Sequence, residues 1–181
     1  MTDFLMIAEN RQSCRSYDPN RKVEQEKIEA CLEAGRLSPS ACNAQPYHIT
    51  VASGSRAQDV GKLVRSMGMN GFTKEAPVFL VITEDDYNRT AAMGAKLKNQ
   101  DYRSVDIGIL AAYITAEAHT QGLGSCILGW FDEKKLQTLL NTSQRIRLVI
   151  SLGYAKEDDH LRKKARKDRK ALVSALGQEE A

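Results

Sequence analysis

The sequence predicts an α/β (α+β) protein, with helices and short strands interleaved along one domain that spans residues 1–181. Three observations predict it. Residues 78–82 form an unbroken apolar run opened by Pro77, which suits a strand covered on both faces. Residues 105–120 place Ile107, Leu110, Ala111, Ile114 and Ala118 on one helical face, while Ile109, Ala112 and Tyr113 make the other faces apolar too. A helix apolar nearly all round is buried, either in the core or against a second subunit. The 181 residues are 42% hydrophobic and 27% charged, enough for one substantial core and unlike a disordered chain.

The elements follow in order. Phe4, Leu5, Ile7 and Ala8 suggest a short first helix that ends near the polar stretch 10–16, and Asp18-Pro19-Asn20 reads as a turn. A second helix over 23–37 follows from the stripe Ile28, Cys31, Leu32 and Gly35 or Arg36, and Ser38-Pro39-Ser40 breaks it. Residues 48–52 read as a strand, and 56–66 as a helix presenting Val60, Leu63 and Val64. After the apolar strand comes a weakly periodic loop over 84–100, with a helical turn at 91–97. Beyond the long helix, 125–128 is a short strand, Asp132 caps a helix through Leu140, and 145–152 is the last strand. The chain has no internal repeat, linker or low-complexity tract.

Several function classes are disfavoured. The longest apolar stretch, 107–116, is too short to span a bilayer. Asp3, Glu9 and Asn10 interrupt the N-terminus, unlike a secretory signal. A cytoplasmic protein without membrane association is expected. Cys14, Cys31, Cys42 and Cys126 form no Cys-x-x-Cys pair and have no His at ligand spacing, so no metal is expected and the thiols read as reduced packing residues. His48, His119 and His160 are too scattered to suggest catalysis. Gly122-x-Gly124 imitates a dinucleotide fingerprint, but Ile127 stands where the third glycine belongs, and it follows a helix and enters a strand. Trp130 and Phe131 suit either a pocket wall or the core.

The charge is uneven. Of the net +3, residues 156–170 carry eight basic and four acidic side chains, a surplus of +4, which leaves the rest near −1. Such a tail is an anion site, a solvated basic face or a loose nucleic-acid footprint. No nucleic-acid motif or interleaved aromatics accompany it.

Two polar clusters carry candidate chemistry. Arg11-Gln12-Ser13-Cys14-Arg15 offers two guanidinium forks and a hydroxyl that match phosphate oxygens, or else a solvated loop. Ser38-Pro39-Ser40-Ala41-Cys42-Asn43-Ala44-Gln45-Pro46-Tyr47 offers amides fit to read a heterocycle edge, or else a connection rich in turn formers.

Taken together, the two clusters resemble the opening of the nitroreductase family of flavoproteins. That family has Arg-x-Ser-x-Arg/Lys-x-Tyr/Phe and then Ala-x-x-x-Pro-Ser-x-x-Asn-x-Gln-Pro, matched here by residues 11–17 and, with one more residue between Ala34 and Pro39, by residues 34–46. The resemblance continues at Ala76-Pro77, Asp106-Ile107-Gly108, Gly122-Leu123-Gly124-Ser125-Cys126 with Gly129, Leu152-Gly153-Tyr154 and Lys167-Asp168-Arg169-Lys170. It implies a central mixed, mostly antiparallel sheet of four or five strands flanked by helices, in a domain-exchanged homodimer. It implies FMN as cofactor and NADH or NADPH as electron donor. By the family pattern Arg11, Gln12, Ser13 and Arg15 contact FMN, with Lys167 and Arg169, joined by Lys170, at its phosphate. The backbone of Leu128 and Gly129 lies against the ring, and Pro39, Ser40 and Asn43 reach the flavin of the partner subunit. No side chain is assigned as catalytic, because the flavin carries the chemistry.

The implied activity is electron transfer from NAD(P)H to a nitroaromatic, quinone or related small acceptor. Donor and acceptor would use one place in turn, a ping-pong scheme. The alternatives are a flavin-storing or redox-sensing dimer without steady turnover, and another flavin chemistry of the superfamily such as dehalogenation, desaturation or flavin fragmentation.

Overall fold

The computed structural model describes residues 4–176, so both ends of the 1–181 domain reading lie outside the described residues. Four strands, β1 (Tyr47–Ser53), β2 (Val78–Glu84), β3 (Gly124–Leu128) and β4 (Ile146–Gly153), form one sheet in the order β1-β2-β4-β3. Each neighbouring pair is antiparallel. Among the described residues, parallel pairing is confined to an isolated bridge between Ser13 and Ser125.

The apolar run behaves as its sequence demands. All seven β2 residues are buried, and the two-residue period of a strand sorts them onto opposite faces. Phe79 and Val81 pack with Val60, Val64, Leu128, Leu136 and Val149, under α3 (Ser55–Val64) and α6 (Glu133–Leu140). Val78, Leu80 and Ile82 pack with Ile28, Cys31, Leu110, Ile114 and Ile150, under α2 (Gln25–Arg36) and α5 (Tyr102–Thr120). At the polar end of β2, the mostly buried Glu84 accepts from Arg103 of α5 at 2.9 Å and from Arg147 of β4.

Gly35 lets α2 close on α5, since a Cβ there would stand 2.8 Å from Ile114 Cγ1. The short α1 (Phe4–Asn10) buries none of its residues. Asp132 accepts from the Lys135 N–H at 3.2 Å, the expected cap of α6.

The weakly periodic loop is where the structure differs most from expectation. Arg89–Lys98 is a full helix, α4. Asn88 caps its start, accepting from the Ala91 N–H at 2.9 Å, and Asn99 ends it in the left-handed conformation. Ala91 is its only buried residue, so local capping rather than an apolar stripe sustains it. A further single turn, α7 (Arg169–Leu172), follows the basic run.

Two predictions follow from the packing. A Cβ at Gly153 would meet Pro77 Cδ at 2.7 Å and Tyr17 Cδ1 at 2.8 Å, both parts of rigid rings. Gly153→Ala should therefore cost about 1–3 kcal/mol in urea unfolding, and an unchanged midpoint would contradict this packing. Burial pushes the Cys14 and Cys31 thiols from 9.0 up to about 12. The unfolded chain then loses these protons first, so their contribution is complete below pH 9.0 and disappears as pH rises towards 12. The unfolding midpoint should fall steadily above pH 9.0; a level profile there would refute the assignment.

Candidate functional site

The Arg-x-Ser-x-Arg segment takes its shape from two buried anchors. After α1 the chain runs along the outer edge of β3, where the Cys14 N–H donates to Ser125 O at 2.9 Å. Tyr17 then pairs with Ala155, and its hydroxyl reaches Ser151 Oγ at 2.8 Å inside the core. With Cys14 and Tyr17 drawn inward, Arg15 is left exposed and Arg11 and Ser13 half-buried. Ser125 Oγ, on the residue paired with Ser13, is buried without a hydrogen-bond partner among the described residues.

The basic tail folds back onto this segment. Gln12 is its clasp: the side-chain amide donates to Asp159 O at 3.2 Å and His160 O at 3.1 Å, and accepts from the Arg162 N–H at 3.0 Å. Arg162 pairs with Asp159 at 2.7 Å and donates to Ser13 O. Lys164 donates to Ala8 O at 3.1 Å and to Arg11 O.

This brings together more positive charge than nearby acids balance. Burial, and then the like charges of Arg11 and Arg166, lower the Lys164 ammonium pKa. Burial raises the Cys126 thiol, and Ser13 and the charges of Arg15, Arg11 and Arg162 pull against it. Asp159 is the acid among them. Burial opposes its ionisation, but hydrogen bonds from Arg162, Cys14 and the Arg15 N–H outweigh that and keep its pKa low.

The turn at 40–43 is built differently. Cys42, Asn43 and Gln45 take φ of 51°, 50° and 46°, a region disfavoured for residues with a Cβ. The Gln45 N–H donates to Ser40 Oγ at 3.0 Å, Gln45 Nε2 to Asn43 Oδ1 at 3.1 Å, and the Ala41 N–H to Asp106 Oδ1 at 3.0 Å. The Ser40 O–H and the Asn43 N–H₂ are left to donate elsewhere.

A third component lies at the end of β3. Leu128 is buried, so only its backbone can meet a ligand, whereas Gly129 is exposed and a Cβ there would meet no atom of this chain within 4 Å. Asn70, at φ 57°, donates to Val64 O at 3.0 Å and Trp130 O at 2.8 Å, holding the 66–71 segment beside that strand end.

One chain thus gathers Arg11, Gln12, Ser13 and Arg15 with the tail, but keeps them apart from Pro39, Ser40 and Asn43. Arg11 shares a hollow of 250 Å³ with Gly108, Ala112 and Ile127, while the 40–43 turn hangs from Asp106. Two residues apart on a helix means opposite faces. Lys167 and Arg169 stand exposed farther along the tail, where Arg162 and Lys164 make the contacts to residues 8–13. Sequence reasoning counted Arg162 and Lys164 only as part of a basic run, and had no periodicity or spacing that would single out Asn70.

The donor set fits FMN. A phosphate carrying close to two negative charges matches the surplus around Arg11, Arg15, Arg162 and Lys164, and the unpartnered Ser125 hydroxyl and the open space at Gly129 suit a polar ligand with a flat ring. The 250 Å³ hollow is a little smaller than ordinary cofactor sites, about 300–1,000 Å³, and lies open on one side, while Arg11 also lines a second hollow of 350 Å³ with Gln12 and Cys14.

Known proteins resemble this chain over most of its length. An NAD(P)H nitroreductase/NADH dehydrogenase of Archaeoglobus fulgidus, so named provisionally, is 29% identical over 164 residues, covering 87% of this chain and 88% of that protein. The oxygen-insensitive NADPH nitroreductase of Helicobacter pylori is 22% identical over 94% of this chain and 93% of its own length. Among solved structures, an FMN-dependent nitroreductase of Clostridium difficile R20291 superposes with a TM-score of 0.73 at 25% identity, over 96% of this chain and 99% of that one. The model of the nitroreductase family matches residues 8–69 and 57–154. With motif, sheet and family model in agreement over most of its length, the chain belongs to the nitroreductase family.

Proposed function

We propose that this protein is an FMN-dependent oxidoreductase that passes electrons from NADH or NADPH to a nitroaromatic, quinone or related small acceptor, and that it works as a homodimer in the cytoplasm. The observation that carries the reading is the unbalanced positive charge where the tail meets residues 11–15. The names of the H. pylori and C. difficile relatives supply the electron donor and the cofactor by analogy.

In this reading Arg11, Ser13 and Arg15 bind the phosphate, ribityl chain and pyrimidine edge. Lys167 and Arg169 close over the phosphate, and Gln12 holds the tail in place. The N–H groups beside Leu128 and Gly129 face the ring, the missing side chain at Gly129 allowing close approach. Bound FMN supplies the two-electron chemistry between nicotinamide and acceptor. The protein orients it, excludes competing reactions and surrounds it with positive charge that favours an anionic flavin. No side chain is assigned a proton-transfer step, since solvent can supply the proton.

The open side is closed by another copy, which contributes Pro39, Ser40 and Asn43. Support for pairing comes from α5. Val105, Gly108, Ile109, Ala112, Tyr113 and Ala116 recur at helical spacing, with Val105 48% and Tyr113 44% exposed. Phe4 of α1 borders the same face and is 74% exposed. An apolar stripe of this kind is the signature of an interface between copies.

The purified protein should be yellow, and anaerobic titration with NADH or NADPH should bleach it; colourless protein that ignores added FMN would end the proposal. Flavin that binds but is never reduced by nicotinamide would instead favour storage or sensing. Arg15→Ala should weaken FMN binding about tenfold to a hundredfold, the loss of a charged hydrogen bond, and unchanged flavin content would remove Arg15 from the site. Tyr113→Lys should lower both the sedimenting mass and the flavin content, whereas a monomer with undiminished FMN affinity would place the whole site within one chain.

A further inference from the structure

Among the described residues, three of the four buried side-chain polar atoms without a partner gather around the start of α5: Asp106 Oδ2, Arg103 Nε and Tyr87 Oη. The Arg103 guanidinium lies 4.5 Å over the Tyr87 ring, and Arg103 stands one helical turn before Asp106. Burial, the largest effect, raises the Tyr87 hydroxyl pKa; Arg103 opposes this, and Asp101 and Asp106 add to it.

Asp106 is 2% exposed. A carboxylate at that depth is costly unless hydrogen bonds and charge compensate it, yet the flavin reading gives it no task. Its bond to the Ala41 N–H joins α5 to the turn that carries Ser40 and Asn43. Cys42 and Asn43 of that turn, and Gln45 just beyond it, take positive φ, and such conformations persist only where the surroundings over-determine them. Most of its bonds are internal. Two reach residues 40–43 from distant segments: Asp106 to the Ala41 N–H at 3.0 Å, and Asn88 Nδ2 to Cys42 O at 3.1 Å.

We propose that Asp106 is a positioning residue for the flavin site: by accepting the Ala41 N–H it fixes the backbone from which the Ser40 hydroxyl and the Asn43 amide meet the cofactor. The inference rests on the turn being a flavin contact. The helix that carries Asp106 presents Gly108 to the hollow lined by Arg11, so α5 links the two components that one chain keeps apart.

The test uses full-length Asp106→Ala, Asp106→Asn and Ala41→Pro. The proline deletes the same hydrogen bond from the donor side and suits its position. Ser40 before it is extended, at φ −142° and ψ 157°, and Ala41 is the second residue of a turn closed by the Asn43 N–H on Ser40 O, where proline is favoured when the next residue, here Cys42, has positive φ. FMN dissociation constants are measured by flavin fluorescence, alongside the absorption band of the bound flavin and the apoprotein melting temperature. Asp106→Ala and Ala41→Pro should each weaken FMN about tenfold to a hundredfold and move the band towards that of free flavin, which lost stability alone would not do.

Asp106→Asn keeps an oxygen for the Ala41 N–H and should recover most of the affinity. The double variant Asp106→Ala/Ala41→Pro should bind no worse than Asp106→Ala. Wild-type affinity in Asp106→Ala or Ala41→Pro, failure of Asp106→Asn to rescue, or strict additivity in the double variant would each overturn the role. If Asp106→Ala does not fold, Ala41→Pro and Asp106→Asn decide the question in the same way. Asn43→Ala is the control for the underlying reading. If it leaves FMN binding unchanged, the flavin contact at the turn fails; if it weakens binding while the Asp106 variants do not, only the role of Asp106 falls.

Discussion

Burial of β2 on both faces is the constraint from which the architecture follows. A strand with two dry faces needs helices above and below and partners along both edges, so it lies inside the sheet between β1 and β4. Each of its large side chains contributes about 1.5–3 kcal/mol by leaving water, enough to fix which residues of α2, α3, α5 and α6 turn inward. Its one carboxylate, Glu84, meets two guanidinium groups there. Breaking a buried pair leaves an uncompensated charge, so this contact fixes the start of α5 relative to the strands as well as satisfying Glu84.

That placement sets up the site. β3 is an edge strand, and the segment after α1 covers its open side through Ser13 and Cys14 before Tyr17 pairs with Ala155 beyond β4. Covering an edge in this way satisfies backbone groups that would otherwise invite another chain, and it turns Arg15 outward. The tail then adds Arg162 and Lys164. Burial, and then the like charges of Arg11 and Arg166, lower the proton affinity of Lys164, and an anion bound there would relieve that repulsion.

Helix α5 has two duties because its faces differ. One side closes the core on α2, with Gly35 removing the side chain that would hold the helices apart. Another presents small and apolar residues outward from Val105 to Ala116, and Asp106 supports a strained turn on a third. The low amphipathicity that made this helix hard to orient from sequence is the consequence of those several contacts.

Much was legible in the sequence because the signals are local. Two-residue and 3.6-residue periods identified three of the four strands closely and all the well-buried helices, since burial acts on side chains at fixed backbone spacing. The clusters at 11–17 and 34–46 marked both components of the candidate site, because phosphate and ring recognition require particular donors at short range. Helix α4 escaped, since its Asn88 and Asn99 caps read equally well as turn residues and it buries almost nothing. The sequence by itself determined the buried elements and the chemical types of the candidate donors. Only the tertiary structure decided that Gln12 clasps the tail, that Arg162 and Lys164 reach residues 8–13 before Lys167 and Arg169, and that the two clusters lie on opposite faces of α5. Those are contacts between residues far apart in the chain, and no local period encodes the distance between segments that only the packed sheet brings together.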